Sequence, residues 1–313
     1  MQMRGKSQRI PPLKALYYLA TSVLLVTGSA ALILFIFLQR QHQKKRDPRL
    51  FLTTMIQTGP QKNALPSEYL AELMGMSRDQ PPHLLSFNVK KKEAALLLSP
   101  LIKTAKVTLI TPQTVYVDYS VRKPLAWLYE YENTALDEEG YIFPVRPFFS
   151  PKQLPELYLG LPPFGNTANP QELSGGRWNL PLQGKEVKLG LKLLQLTCHL
   201  PLRRIDLSNA YSPSLGSREI VLYLEDEFLH RTEEKEHLVI VPRLIRLSTK
   251  NFSKELSNFL ELRKELLEKE KQGLNLSLDT PFIYTACLQV IDLRIDGLGF
   301  MKTVSNKQDS LGQ

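Results

Sequence analysis

The longest apolar stretch of the chain lies near its amino end. No charged residue occurs from 15 to 39, where Leu, Ala, Val, Ile and Phe dominate. As a helix, the roughly 24 residues up to 38 have a length of about 36 Å, which exceeds the ~30 Å hydrocarbon core of a bilayer. The apolar core of a signal peptide is usually about 7–15 residues long, and no small-residue cleavage motif follows here. The pattern therefore predicts an uncleaved transmembrane helix over residues 15–38.

The next 75 residues predict a compact unit of two helices and three strands. A first strand over 51–57 precedes a short helix over 66–74 that ends at Gly75, and Asn88 is the predicted N-cap of a helix over 89–98. The segments 105–109 and 115–121 alternate with a period of two and are joined by a turn at 111–114. Residues 50–124 therefore predict a β-α-α-β-β unit.

From residue 125 onward, the pattern changes to short strands separated by many turns, with two helical insertions. The clearest helix covers 253–271, while 187–196 fits either a helix or a strand. The last apolar elements, 282–295 and 299–304, are joined by Asp296-Gly297, a dipeptide typical of tight turns. The polar tail, 305–313, is predicted to be disordered.

Charge is concentrated around the apolar segment. Residues 1–49 carry nine basic side chains and one acidic, a net charge of +8, whereas the remaining 264 residues carry a net charge of +1. A nucleic-acid-binding domain normally shows its basic stripe on the folded part, so that class is largely excluded. The leader (1–14) has four basic residues and the basic linker (39–49) has five, so the positive-inside rule does not choose an orientation.

Motifs for catalysis and metal binding are almost absent. Ser120 and Lys123 match SxxK, but they end an alternating strand, whereas that chemistry places both residues on one helical face. His230 and His237 are separated by several glutamates, and a solvated polar loop between two strands is favoured over a metal clip. The sequence therefore favours an anchored interaction protein without a cofactor over an enzyme.

The two cysteines are too few for a disulfide scaffold. Cys198 is adjacent to His199, and in an extended segment the two side chains point to opposite faces, which argues against a nucleophile–base pair. Cys287 lies in an apolar stretch and is predicted to be a small buried hydrophobe. Whether Cys198 and Cys287 pair with each other is left open.

Several local strings follow one another behind the single apolar span: PLIKTAKV (100–107), TPQTV (111–115), RKPLA (122–126), LDEEGYIF (136–143), LPEL with Gly160 (154–160) and IDLRI (291–295). In this order they resemble the FtsQ/DivIB family of bacterial cell-division proteins. The chain departs from the family pattern at Arg122 and Lys123, where Glu-Arg is more common, and at Ile295, where the family has Tyr. The segment 203–235 is also longer and more charged than the family pattern.

The resemblance implies an α+β fold: a single N-terminal transmembrane helix, a POTRA domain (50–124) and a β domain (125–304) with a mixed or antiparallel sheet and two helices. The segment 187–196 is then a helix. It also implies a single-pass inner-membrane protein with a cytoplasmic amino terminus, a periplasmic bulk and enrichment at the division septum. The role is non-enzymatic: such proteins link early division proteins, contacted through the POTRA domain, to FtsB- and FtsL-like partners and to septal peptidoglycan synthesis.

In this family the last β-strand is an exposed edge that accepts a strand from FtsB, by β-strand addition. The corresponding partner-binding residues are Asp292, Arg294, Ile295, Leu298, Gly299, Phe300, Met301, Lys302, Thr303 and Val304. Asp292 and Arg294 share a face and either orient the turn or pair with partner charges. Phe300→Pro or Met301→Pro is expected to abolish capture, and Lys302→Glu to weaken it less. The alternatives are a membrane-anchored cell-envelope enzyme and a POTRA-type export or assembly component.

Overall fold

A computed structural model describes residues 12–60, 64–110, 113–150, 153–161, 180–231, 235–274 and 280–304. The first described element, α1 (Pro12–Arg46), is 35 residues long. Within it, Leu16–Gln41 has a mean hydropathy of 2.3, and none of it is buried against the rest of the protein. In the described part of the chain, this is the one helix that is long and apolar enough to cross a membrane. The leader up to residue 11, the turn at 111–112 and the tail from 305 lie outside the described residues.

The chain folds into two compact units. The first is formed by Met1–Thr58, Pro66–Glu93 and Lys106–Asp118, and the second by Gly59–Leu65, Ala94–Ala105 and Tyr119–Gln313, each through its described residues. The division passes through three secondary-structure elements, so it does not coincide with a single linker.

Five elements follow α1 in the order that the hydrophobic pattern predicts. They are β1 (Thr54–Thr58), α2 (Ser67–Leu73), α3 (Val89–Leu97), β2 (Ile102–Ile110) and β3 (Thr114–Val121). The strands form a sheet in the order β1-β3-β2. β1 runs parallel to β3, with Thr54 opposite Thr114 and Thr58 opposite Asp118.

Local signals fix the ends of the two short helices. The Asn88 side-chain oxygen accepts a hydrogen bond of 3.0 Å from the Lys91 N–H, so the predicted N-cap of α3 is confirmed. Gly75 follows α2 with a φ of +61°, a left-handed conformation that favours glycine at a helix end. The buried interior of the first unit is apolar. It includes Leu70 of α2, Met74 directly after α2, and the inward-facing Val115 and Val117 of β3.

The second unit is built on a ten-stranded mixed sheet. Its path is β13-β12-β10-β9-β8-β7-β4-β5-β6, and β11 also pairs with β10. The strands are β4 (Ala126–Leu128), β5 (Thr134–Leu136), β6 (Ile142–Pro144), β7 (Glu156–Tyr158), β8 (Leu202–Asp206), β9 (Ile220–Arg231), β10 (Glu236–Leu247), β11 (Ile283–Thr285), β12 (Leu288–Asp292) and β13 (Phe300–Val304).

Two helices contribute to the core of this unit: α4 (Lys185–Leu196) and α5 (Phe252–Gly273). The segment 187–196, whose periodicity fits either a helix or a strand, is therefore helical and lies within α4. Its buried residues Val187, Gly190 and Leu194 recur at helical spacing. A side chain at Gly190 would lie 3.1 Å from a methyl group of Leu157 on β7, so this position allows the helix to approach the sheet closely.

The two cysteines are both exposed free thiols, and they do not pair with each other. The prediction that Cys287 is buried is wrong, because it lies between β11 and β12 and not inside one continuous strand. Residues 162–179 lie outside the described residues. The expected α+β class, with one apolar helix, a mixed sheet and a few helices, is confirmed.

Candidate functional site: an open sheet edge at the carboxyl end

β13 forms one edge of the large sheet. It pairs antiparallel with β12, from Phe300 opposite Asp292 to Val304 opposite Leu288, and no other strand of the described chain pairs with it. The predicted turn before it is present: the Leu298 N–H donates to the Ile295 C=O over 3.1 Å, and Gly297 has a φ of +77°.

The two edges of the sheet differ in how they are protected. At the opposite edge, β6 has only three residues, ends at Pro144 and has Phe143 fully buried. Short length and proline are common devices that keep an edge from pairing with another chain. All five residues of β13 are exposed, including Phe300 and Met301 at more than half of their surface. A charged side chain also helps to protect an edge strand, and within β13 only Lys302 is charged. β13 is therefore the more accessible edge.

The direction of the backbone groups in β12 follows from its pairing with β10. The Leu293 N–H donates to the Arg246 C=O over 2.9 Å, while Arg246 lies opposite Asp292. Successive residues of a strand direct their backbone groups to opposite sides. Ile291 and Leu293 therefore direct theirs toward β10, whereas Val290 and Asp292 direct theirs toward β13.

The same alternation identifies the unpaired backbone groups of β13. Phe300 and Lys302 lie opposite Asp292 and Val290, so their N–H and C=O groups are directed at β12. Those of Met301 and Thr303 are directed away from the sheet. An added strand would therefore bond to the backbone of Met301 and Thr303.

The side chains of β13 alternate between the two faces of the sheet. Met301 and Thr303 share the face of the buried Ile291 and Gln289, the face that contributes to the core. Phe300, Lys302 and Val304 lie on the opposite face. A strand added here would thus extend an apolar inner face and a mixed outer face.

Asp292 and Arg294, predicted to share a face, pair with each other inside the protein. Arg294 Nη2 lies 2.8 Å from Asp292 Oδ2, and Arg294 Nη1 lies 3.3 Å from Glu219 Oε2. Arg246 completes the network, with its Nε 2.6 Å from Glu219 Oε2 and its Nη1 3.4 Å from Asp292 Oδ2. The pairing supports the turn-orienting role, because these charges already have partners.

The network shifts the titration of its members. Burial alone would raise the pKa of the Asp292 carboxyl, but hydrogen bonds from Arg294 and the positive charges of Arg294 and Arg246 outweigh it. The pKa of Asp292 therefore lies below its ordinary value. The hydrogen bonds to Asp292 raise the pKa of Arg294.

Asp292→Asn is expected to lower the free energy of unfolding by about 1 kcal/mol at pH 7. Because the folded-state pKa of Asp292 is below its unfolded value of about 3.9, the ionised form contributes stability above that value. This contribution to stability is lost as the pH falls through the folded-state pKa of Asp292. The unfolding free energies of the wild-type and Asp292→Asn proteins should therefore approach each other in acid. Thermal unfolding of the detergent-solubilised full chain over a pH series that starts at pH 7 and continues downward until the difference between the two proteins no longer changes measures this. Asp296→Asn, which breaks an exposed pair with Lys254, is the matched control and should change stability less.

Four of the predicted residues line an open groove of about 450 Å³: Asp292, Arg294, Ile295 and Phe300. Its other walls come from distant parts of the chain and include Leu215, Arg218 and Lys250. Sequence reasoning missed these three residues, since nothing in their local pattern indicates that they lie beside the last strand. Leu298 is 57% exposed and extends the apolar surface at the turn.

The residues considered for catalysis do not assemble into a site. Ser120 lies on β3, where its hydroxyl oxygen is 2.5 Å from that of Thr104, and Lys123 is an exposed residue beyond the strand end. His230 and His237 lie opposite each other on β9 and β10. His237 is buried against the carbonyl of Pro281, so the expectation of a solvated loop is wrong for this residue. Within the described ranges, no group of three or more His, Cys, Asp or Glu is arranged to hold a metal ion.

Neither a protein-family model nor a curated protein sequence matches this chain.

Proposed function

We propose that this chain is a membrane-anchored, non-enzymatic scaffold of the bacterial cell-division machinery, of the FtsQ/DivIB type. In this proposal α1 is a single inner-membrane span, with the amino terminus in the cytoplasm and the bulk of the chain in the periplasm. Residues 50–124 are its POTRA domain and 125–304 its β domain. The strand-helix-helix-strand-strand order after α1 and the mixed sheet with two helices support this assignment.

The observation that carries the proposal is the open edge formed by β13. Unpaired backbone groups at Met301 and Thr303 offer hydrogen bonds to an incoming strand, and exposed side chains on both faces offer specificity. The proposed occupant is a strand of an FtsB-like protein, bound together with its FtsL-like partner. The complex would connect early division proteins to septal peptidoglycan synthesis.

Met301→Pro is expected to abolish capture of the FtsB-like partner. Proline removes an N–H that points away from the sheet and blocks the approach of a strand at that point, whereas the pairing of β13 with β12 does not use this N–H. Co-purification of the partner with the full-length chain from detergent extracts measures the loss. Met301→Ala, the matched control, keeps the N–H and should retain most of the binding.

Two further variants separate strand pairing from charge and from folding. Lys302→Glu keeps every backbone group, so it should weaken capture less than Met301→Pro does. Phe300→Pro removes an N–H directed at β12 and should disrupt β13 itself as well as binding. If Met301→Pro captured the partner as well as the wild-type chain does, strand addition at this edge would be contradicted.

A fluorescent fusion of the full-length chain tests the wider role. The proposed function requires a fluorescent band at the division plane and not a uniform signal along the membrane.

A further inference from the structure

Three segments of the first unit meet where the chain leaves α1. The Leu52 N–H donates to the Pro82 C=O over 2.9 Å, and the Thr53 N–H donates to the Gln113 C=O over 3.1 Å. Phe51 forms a β-bridge with His83, and their rings pack edge to face at 5.2 Å. The segments that contain Pro82 and Gln113 are therefore fixed at the same end of the unit as the exit from α1.

This end is held close to the end of the apolar span. The span ends at Gln41, and five more helical residues to Arg46 add about 7.5 Å. The residues from there to Phe51 add at most ~3.5 Å each. Phe51 thus lies within roughly 25 Å of the end of the span, a distance that includes the lipid headgroups of any membrane that α1 crosses.

A large apolar side chain is exposed at this end. Leu85 is 65% exposed and lies in a short 3₁₀ turn, Leu84–Ser86. The turn is held by the Leu85 N–H, which donates to Nδ1 of His83 over 3.2 Å. Leu85 is therefore presented on a fixed turn next to the bridge between Phe51 and His83.

The neighbouring helix begins with charges of the unfavourable sign. Lys90 and Lys91 are exposed in the first turn of α3, where the helix dipole disfavours positive charge, and the first turn contains no acidic residue. In the described structure neither lysine forms a salt bridge, whereas Lys92 donates to the carbonyl of Met74. The first turn of α3 therefore carries two positive charges that have no acidic partner among the described residues. Such a departure from a local rule is expected at functional sites.

We propose that Leu85, Lys90 and Lys91, together with the exposed Arg49, form a membrane-docking surface for anionic phospholipid headgroups of the bilayer that α1 spans. Leu85 enters the interface, and the basic side chains contact lipid phosphates. The proposal rests on the anchoring by α1 that is part of the proposed function. Anchoring favours docking, because it keeps the surface at a high effective concentration near the headgroups.

The test is the depth of a spin label at Leu85→Cys in the full-length chain, with Cys198→Ser and Cys287→Ser to remove the exposed thiols. The protein is placed in nanodiscs of phosphatidylcholine, with or without about 30% phosphatidylglycerol, and accessibility to oxygen and to a nickel chelate is compared. We expect the Leu85 label to be immersed only in the anionic bilayer. A label at Asp118→Cys, an exposed site at the other end of the β1–β3 pairing, should stay in water.

Neutralising the two lysines distinguishes headgroup binding from simple burial. Each basic residue near an anionic surface changes the docked-to-undocked ratio by about fivefold, so Lys90→Gln with Lys91→Gln should lower it roughly 25-fold. Equal immersion in both lipids, or immersion that survives both substitutions, would overturn the proposal. The docking proposal would also be overturned if the Leu85 label stayed in water while a label at Val26→Cys in α1 was immersed. That result would still support anchoring by α1. A Val26 label that also stays in water would instead overturn the anchoring.

Discussion

Asp226→Ala should destabilise the second unit by roughly 3–5 kcal/mol, because it leaves buried positive charge without its counterion. Asp226 on β9 is 2% exposed and pairs with Arg243 of β10, which is fully buried. Its other oxygen accepts from Nε of Arg263 on α5 over 3.0 Å. Burial and the charge of Arg263 lower the pKa of Arg243 to about 10, so Arg243 remains charged at neutral pH.

Thermal unfolding of the detergent-solubilised full chain measures the effect, and a fall of about 10 °C is expected. Glu227→Ala, at the next position on β9, removes an exposed partner of Arg203 and is the matched control, with a change of less than about 1 kcal/mol. Equal transition temperatures for Asp226→Ala and Glu227→Ala would show that Asp226 does not compensate the buried charge. Since α5 carries Arg263, loss of α5 protection in hydrogen exchange is the accompanying sign.

Arg122→Ala is expected to cost about 3 kcal/mol and to loosen the hairpin between β5 and β6. Arg122 Nη1 lies 2.7 Å from Asp137 Oδ2, and the guanidinium group lies 3.6 Å from the centre of the Tyr141 ring. The other oxygen of Asp137 accepts from the N–H groups of Glu139 and Tyr141, at 2.9 and 2.8 Å. Arg122 thus balances the negative charge of the Asp137 carboxylate, which accepts the backbone hydrogen bonds of the turn.

Hydrogen exchange at the N–H groups of Glu139 and Tyr141, alongside the unfolding temperature, measures this role. Lys123→Ala, which changes an adjacent exposed residue, should leave both quantities nearly unchanged. An Arg122 variant with native exchange at these two amides would rule out a supporting role for the ion pair. Of these two adjacent basic residues, Arg122 is the buried one and Lys123 is the exposed one.

Local signals predicted elements well because their causes lie within a few residues. The side-chain cap at Asn88 and the turn at Asp296-Gly297 are present where the sequence indicated. The position of the last strand was inferred from family resemblance, since strand order depends on contacts between distant segments. A local pattern does not record such contacts.

The parts of the candidate site that escaped prediction are those that depend on long-range contacts. Glu219 forms an ion pair with Arg294, and Arg246 forms one with Asp292. Both Glu219 and Arg246 lie more than 40 positions earlier in the sequence than their partners. The burial of Cys287 was predicted from an apolar stretch, but that stretch is divided between β11 and β12. Composition alone did not distinguish one continuous strand from two.

The ladder that an added strand would form with β13 has a mechanical consequence under the proposed function. Hydrogen bonds of a β-ladder run across the strands, so a lengthwise pull on the added strand loads several of them at once. A sideways pull breaks them one after another and needs less force. A membrane-tethered partner attached at this edge would therefore resist tension along the strand and peel away under tension across it.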